Sequence, residues 1–449
     1  MTKLTAGTAL LTDLYELTMA AGYFERRLDC RATFELFVRV LPPERAFLLA
    51  CGLESALEYL ENFRFTEEEV RFLREQPVFK AIGGDFFDYL RNLRFTGDVS
   101  AVPEGTVVFA EEPLLQVTAP IAEAQIVETY LLSVLSFETL VATKAARVVR
   151  GAEGKAVLEF GARRAHGPEA GVLAARAAYV GGCQATSNVL AGSLFGIPLA
   201  GTAAHSWTQA FPSERESFIA LLDSFPDSAI LLIDTYDTVP GAETAASLGR
   251  KVSGVRLDSG DLLQKSRQVR RILDSQHHHE TQIVASGDLN EFKIAELVGA
   301  GAPIDSFGVG TEIVTSKDAP ALSVVYKLVE TEQAGRVEYK TKFSEEKTYL
   351  PGRKQVFRFA VRGRLHHDLI ARAGECYPSA APLLEPVMRG GRRIGPRPAL
   401  EAVRARARES IMRLPVEYQA LESAPRYPVQ KSDAIERLLE DLRTSHFAE

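Results

Sequence analysis

The sequence predicts an α/β protein whose centre is a parallel sheet, closed or nearly closed into a β/α barrel. Three observations lead there. From residue 155 onward, strand-like apolar runs alternate with helix-like stretches through short connections, which is the pattern of a parallel sheet covered by helices. The strand-like runs are 155–160, 197–203, 229–235, 253–258, 282–287 and 304–309, with 321–329 as a further one. Six or seven strands in about 175 residues fit an eight-stranded barrel or an irregular relative of one. Nearly every run also ends in a polar or glycine-rich cluster, and in a barrel those ends converge on one face.

The remaining elements follow in order. Residues 1–24 place Leu11, Leu14, Tyr15, Leu17 and Thr18 at helical spacing, with Asp13 among them. Residues 98–118 alternate short β-branched runs with Pro and Gly turns, which predicts a small sheet. Helical spacing returns over 121–150 through Ile126, Tyr130, Leu131, Val134 and Leu135. Within the repeat, helix-like stretches cover 214–224, 241–251, 261–275 and 290–300. Beyond Glu330 the pattern fades into strands and polar loops over 331–363, with amphipathic helices at 399–413 and 431–443. Arg389, Arg392, Arg393 and Arg397 read as a solvated basic turn. The expected parts are an N-terminal α+β domain (1–150), a barrel carrying the active site (151–330) and a C-terminal extension (331–449) that packs on both.

Composition narrows the function. The 449 residues carry 52 Lys+Arg against 59 Asp+Glu, a formal charge of −7, so nothing overall draws the chain to nucleic acid or an anionic membrane. No window is apolar enough to span a bilayer, and Asp13 and Glu16 interrupt what a signal peptide would need. Cys30, Cys51, Cys183 and Cys376 stand too far apart for a CxxC site. A cytoplasmic enzyme without nucleic-acid or membrane partners is the expectation.

The chemistry lies in the strand-end clusters. In chain order they are Phe160 to Arg164, Ala204-His205-Ser206, Asp234 to Asp237, Arg256 to Asp261, Ser286-Gly287-Asp288 and Gly308 to Thr311. One such cluster is ordinarily a helix cap, but six successive ones exceed what capping requires. Ser286, Gly287, Gly308, Gly310 and Thr311 free backbone N–H groups at helix starts, the usual means of holding phosphate. Arg163, Arg164 and Arg256 can pair with carboxylate or phosphate, and Asp258 with Asp261 could hold Mg²⁺ beside a substrate phosphate. Taken singly, a tight turn is the better reading of any one of the glycines. There is no P-loop and no GxSxG elbow, and GVGTEI lacks the third glycine of a dinucleotide fingerprint. His277-His278-His279 reads as a solvated loop, because adjacent side chains cannot all face one ion. His205, at a strand end, is evenly balanced between a structural and a functional role.

In this order, these residues resemble the nicotinate phosphoribosyltransferase family. The matching segments are LLTDLYELTMAAGYF at 10–24, ATFELFVR at 32–39, EFGARRAHGP at 159–168 and GTAAHSW at 201–207. VRLDSGDL at 255–262, SGDLNE at 286–291, FGVGT at 307–311 and PGRKQVFR at 351–358 continue the set. The resemblance implies an irregular β/α barrel of the nicotinate/quinolinate phosphoribosyltransferase type with an N-terminal α+β domain, in a homodimer with shared active sites. It implies conversion of nicotinate and phosphoribosyl pyrophosphate to nicotinate mononucleotide and pyrophosphate, with Mg²⁺ as cofactor and ATP as co-substrate, in NAD salvage.

Carried over residue by residue, Phe160 and the neighbouring subunit's Tyr15 would sandwich the pyridine ring, with Asp13 nearby. Arg163 and Arg256 would face anionic groups, and Asp258 the ribose or its metal. Ser286, Gly287, Gly308, Gly310 and Thr311 would cradle the 5′-phosphate. His205 would be phosphorylated by ATP, with Asp234 orienting its ring and Ser206 beside it among the substrate-binding residues. Lys342, Lys347 and Lys354 would lie near the ATP phosphates. Cys376 stands alone, so the zinc knuckle of some relatives is not expected. Relatives that take nicotinamide place an aspartate where this sequence aligns Ser193; a serine there favours the acid, because it can donate to a carboxylate. Quinolinate phosphoribosyltransferase, with a shorter chain and no His205 segment, and a non-catalytic phosphoribosyl-binding barrel are the weaker alternatives.

Overall fold

The computed structural model describes residues 9–344 and 347–448; residues 1–8 of the predicted N-terminal helical segment lie outside them. The chain divides into two compact units, one formed by 1–140 with 321–449 and the other by 141–320. The stretch after residue 330 is therefore built into the same unit as the N-terminal part, and the second unit is bounded by 141 and 320.

In the 141–320 unit, six parallel strands form one sheet in the order Ala185–Thr186, Ala156–Glu159, Ser306–Val309, Gln282–Ala285, Gly254–Leu257 and Ile230–Leu232. Val157, Leu231, Val255, Leu257, Ile283, Val284, Phe307 and Val309 are all buried, as expected for strands covered on both faces. The predicted run at 197–203 is not a strand. It touches the sheet through a single parallel bridge between Thr186 and Leu199, since Pro198 has no N–H to extend a ladder. The barrel is irregular at this point.

The helices between the strands start where side chains can cap them. Ser213 accepts from Glu216 N, Asp237 from Val239 N, Asp261 from Gln264 N and Asn290 from Lys293 N. Part of the strand-end polarity is thus ordinary capping. Asp261 in particular accepts the Gln264 N–H on its Oδ1 at 3.0 Å, which leaves Oδ2 of this exposed side chain for the predicted Mg²⁺.

The other unit is built mainly on antiparallel pairs, with one parallel pair between Arg364–Arg372 and Val429–Lys431. A seven-stranded sheet runs 336–339, 324–333, 31–38, 113–120, 98–101, 385–389 and 392–393. Strand Arg31–Val38 pairs antiparallel with Val324–Gln333 and Pro113–Pro120, and Phe34 stacks on Tyr326 with centroids 4.8 Å apart. The run expected at 321–329 as a further barrel strand belongs to this sheet. A four-stranded sheet contains Lys354–Val361 and Arg364–Arg372. In the basic loop Arg389, Arg392 and Arg397 are exposed, as a solvated turn predicts, but Arg393 and Arg397 also reach Glu54, at 2.7 and 3.0 Å, and Arg397 meets Glu58 at 2.7 Å. Among the described residues, no helix is long and apolar enough to cross a membrane.

Candidate active site

The C-terminal ends of the parallel strands bring a connected set of polar side chains together. Strand Gly254–Leu257 carries Arg256 and delivers Asp258 just past its end. Asp258 is gripped from three sides. Ser286 Oγ, at the end of the next strand, donates to its Oδ1; Arg256 lies 3.6 Å from the same oxygen; His205 Nε2 lies 3.9 Å from Oδ2. The backbone N–H of Asp258 donates to Asp234 Oδ2 at 2.8 Å, and Ser259 Oγ donates there at 3.0 Å. Asp234 therefore fixes the turn that presents Asp258.

His205 opens the short helix His205–Gln209 rather than ending a strand. Its Nδ1 faces Thr235 Oγ1 at 3.2 Å. The orientation expected from Asp234 is supplied instead by the next residue in the chain, because Asp234 is turned toward the 258–259 backbone. Ser206 follows in the same first turn and is exposed.

Arg256 donates to Thr202 Oγ1 and, at 3.3 Å, to the Ala203 carbonyl, while its Nε is buried without a partner. Burial lowers the pKa of its guanidinium; Asp258 and Asp234 counter this and the nearby positive charge of Arg163 adds to it. Arg163 is exposed, on the single turn Ala162–Arg164. Two like charges sharing a neighbourhood form a natural seat for an anion. Behind them, Asp234 Oδ1 and Glu214 Oε1 are both buried without a hydrogen-bond partner. Burial, and then the charge of Asp234, push the Glu214 carboxyl above its ordinary range.

The glycines act by admitting close neighbours. A Cβ on Gly287, whose φ is +93°, would lie 2.0 Å from the Asp258 carbonyl oxygen, so only glycine lets this turn close on Asp258. A Cβ on Gly308 would come within 2.5 Å of the Phe160 ring, so glycine there lets one edge of the ring close on that strand. Phe160 N also donates to Val309 O at 2.8 Å. Glu159, just before it, is fully buried and accepts from Thr186 Oγ1 at 2.6 Å and from the Gly161 N–H. Gly310 and Thr311 begin the short helix Thr311–Val314 after the last strand. Ser286 is buried with its hydroxyl turned to Asp258, so its side chain supports the carboxylate.

Other predicted residues fall elsewhere. Ser193 sits exposed within helix Val189–Phe195. Ser187 is the serine at the strand end, its N–H on the Glu159 carbonyl at 2.9 Å. The specificity argument made for Ser193 is corrected accordingly. Lys354 is buried, its ammonium on Glu35 Oε2 at 2.7 Å and on the carbonyls of Leu350 and Gly352; it is a structural lysine and not an ATP contact. Lys342 and Lys347 are exposed, and the positive charges of Arg39 and Lys342 bear on half-buried Lys327. Asp13 accepts from Thr129 Oγ1 at 3.1 Å, and Tyr15 beside it is exposed. Both belong to the 1–140/321–449 unit. Thr235, Thr202, Thr186, Glu159 and Glu214 were not singled out from sequence. Thr235 lay within a recognised cluster; Glu214 had no signal at all.

Comparison with known proteins agrees with this geometry. Residues 10–136 match the nicotinate phosphoribosyltransferase (NAPRTase) N-terminal domain, 141–320 the quinolinate phosphoribosyl transferase C-terminal domain, and 376–439 the nicotinate phosphoribosyltransferase C-terminal domain. The chain is 47% identical to nicotinate phosphoribosyltransferase pncB2 of Mycobacterium tuberculosis (strain H37Rv), over 98% of this chain and 95% of that protein. It is 40% identical to nicotinate phosphoribosyltransferase of Bacillus subtilis, over 80% of this chain and 75% of that one. The crystal structure of human nicotinic acid phosphoribosyltransferase superposes with a TM-score of 0.82 at 31% identity, covering 96% of this chain and 99% of that one. The chain belongs to the nicotinate phosphoribosyltransferase family.

Proposed function

We propose that this protein joins nicotinate to phosphoribosyl pyrophosphate, giving nicotinate mononucleotide and pyrophosphate, with ATP hydrolysis coupled through phosphorylation of His205. The observation that carries the reading is the convergence of Arg256, Asp258, His205 and Ser286 at the strand ends, with Phe160 held against Gly308. Displacing pyrophosphate from the ribose C1 builds oxocarbenium-like charge, while the attacking pyridine nitrogen is a weak base. Positioning and charge stabilisation must therefore supply most of the rate.

Each side chain has a part in this. The Phe160 ring offers a face for the pyridine, and Tyr15 of the partner subunit would cover the other. Arg163 and Arg256 draw in the carboxylate and the diphosphate, and favour nicotinate over its amide because an amide leaves their charge unanswered. Asp258, held still by Ser286 and Arg256, approaches the ribose. Asp258 with the unpartnered Oδ1 of Asp234 forms a hard oxygen donor set that suits Mg²⁺. When bound, the ion would neutralise charge on the leaving diphosphate. His205, with Nδ1 on Thr235, leaves Nε2 as the acceptor for the phosphoryl group. Lys342 and Lys347 are the candidate cations for the ATP phosphates. A homodimer is supported by exposed apolar side chains, Val189, Leu190, Leu194 and Leu199 in one stretch and Leu14, Tyr15 and Met19 in another.

The test is a product assay by mass, with nicotinate and nicotinamide offered side by side, with and without ATP, on wild type and His205→Ala. Wild type is expected to form nicotinate mononucleotide far faster than the amide product and to hydrolyse ATP as it does so. His205→Ala should stay folded, lose ATP hydrolysis and the acid-labile phosphoprotein, and keep some ATP-independent transfer. Equal use of both pyridines would sink the acid specificity. Phosphate labelling that persists in His205→Ala would move the acceptor to Ser206.

A further inference from the structure

Lys144 lies in helix Glu128–Gly151, far in sequence from every strand end, and its side chain is 1% exposed. Its ammonium lies 2.6 Å from Glu291 Oε2, 2.8 Å from Asp318 Oδ1 and 3.2 Å from Glu312 Oε2. Three carboxylates therefore surround one ammonium as ion pairs. Arg147, one turn on, takes the other oxygen of Glu291 at 3.0 Å, and Lys317 takes the other oxygen of Glu312 at 3.1 Å. Three cations thus meet three carboxylates, with Glu291 fully buried.

The placement of those carboxylates gives the cluster its meaning. Glu291 is the first residue of helix Glu291–Gly299, three positions after the turn through Ser286, Gly287 and Asp288. Glu312 is the second residue of helix Thr311–Val314, immediately after Gly308 to Gly310. One buried ammonium therefore ties together the exits of the two glycine turns. Two turns on separate strands can share one phosphate only if their spacing is held, and strand pairing ends before either turn begins: the pairing of the two strands covers Val284 with Ser306 and Ala285 with Phe307. Lys144 extends the connection past that point. It also cancels carboxylate charge that would otherwise lie behind an anion site.

We infer that Lys144, through Glu291 and Glu312, is a positioning residue for phosphoribosyl pyrophosphate. It holds the 286–288 and 308–311 turns at the separation that one phosphate requires. The inference rests on the function proposed above, and wild-type turnover in the same assay tests that function separately.

Steady-state kinetics on the purified full chain, alongside thermal melts, provide the test. Lys144→Met should raise the KM for phosphoribosyl pyrophosphate about tenfold, with the nicotinate KM and kcat little changed. Lys144→Arg, which keeps a donor for each carboxylate, should restore most of that loss. Should Lys144→Met fail to fold, Glu312→Gln reads the same link: it frees one turn, leaves Lys144 two partners and should raise the same KM about threefold. A folded variant whose phosphoribosyl pyrophosphate KM is unchanged, or whose kinetic constants all fall together, overturns the inference while wild-type turnover leaves the function standing. No nicotinate mononucleotide from wild type overturns both.

Discussion

Lys354 and Arg256 each stand against carboxylates. Lys354 places its ammonium on Glu35 and on two backbone carbonyls, and Glu35 Oε1 also accepts the Lys354 N–H at 3.2 Å and Gln116 Nε2 at 2.7 Å. Around Arg256 the accounts stay open: its Nε has no partner, Asp258 is about a third exposed, and Asp234 Oδ1 is buried alone. Both clusters are charged, and both carry motif-like sequences. The difference is whether each charge meets its counter-charge out of solvent: Glu35 Oε2 makes no hydrogen bond but lies 2.7 Å from the Lys354 ammonium, with both side chains buried, whereas Asp258 stays open to solvent. A closed cluster holds a fold together, whereas an open one on a convergent face is prepared for something that arrives.

The comparison breaks most sharply at Asp258. Asp258→Asn keeps the volume and removes the charge on which Arg256, Ser286 and His205 converge. Activity should fall about 10³-fold, equivalent to about 4 kcal/mol of transition-state stabilisation, with the melting temperature nearly unchanged. Near-wild-type kcat/KM in that variant would mean that the open cluster is not catalytic.

Lys354→Met tests the closed cluster from the other side. It strands the carboxylate of Glu35 in a fully buried place, and breaking such a pair costs about 3 kcal/mol or more. Chemical denaturation should register that loss, while the KM for ATP in the remaining folded protein stays at its wild-type value. A raised KM for ATP with undiminished stability would return Lys354 to the binding site.

The same contrast explains what the sequence could and could not convey. Phe160, Arg256, Asp258, Gly287 and Gly308 were readable because each closes a local pattern, an apolar run ending in a polar or glycine residue. Lys354 was misread because its partner, Glu35, is more than 300 positions away, and satisfaction is a property of space. Strand Val324–Gln333 was assigned to the barrel for the same reason: its apolar pattern identifies a strand, but only pairing with Arg31–Val38 decides which sheet it joins. Ser193 and Ser187 are six residues apart in one segment, and the helix begun by Asn188 carries the first away from the strand end. Thr235 and Thr202 act only through the side chains they meet, His205 and Arg256, so no periodicity reveals them.

Glu16 sharpens the comparison with an intermediate case, a carboxylate closed in without a cation. It is fully buried and accepts from the Thr12 hydroxyl, from Thr129 Oγ1 at 2.5 Å and from Thr129 N at 3.1 Å. Burial outweighs those hydrogen bonds and raises its pKa from 4.5 to about 7. The folded protein therefore holds this proton more tightly than the unfolded chain does. The stability gained from that proton is fully present below pH 4.5 and is lost as pH rises through about 7. Glu16→Gln keeps a neutral group at all pH values, so it should flatten this part of the profile. Melting temperatures taken from pH 5 to pH 8 should show the variant gaining on wild type as pH rises, by a few degrees at most. The difference between the two proteins isolates Glu16 from every other titrating group. If it stays constant across that range, the carboxyl is already ionised in the fold and the Thr12 and Thr129 hydroxyls suffice to hold its charge.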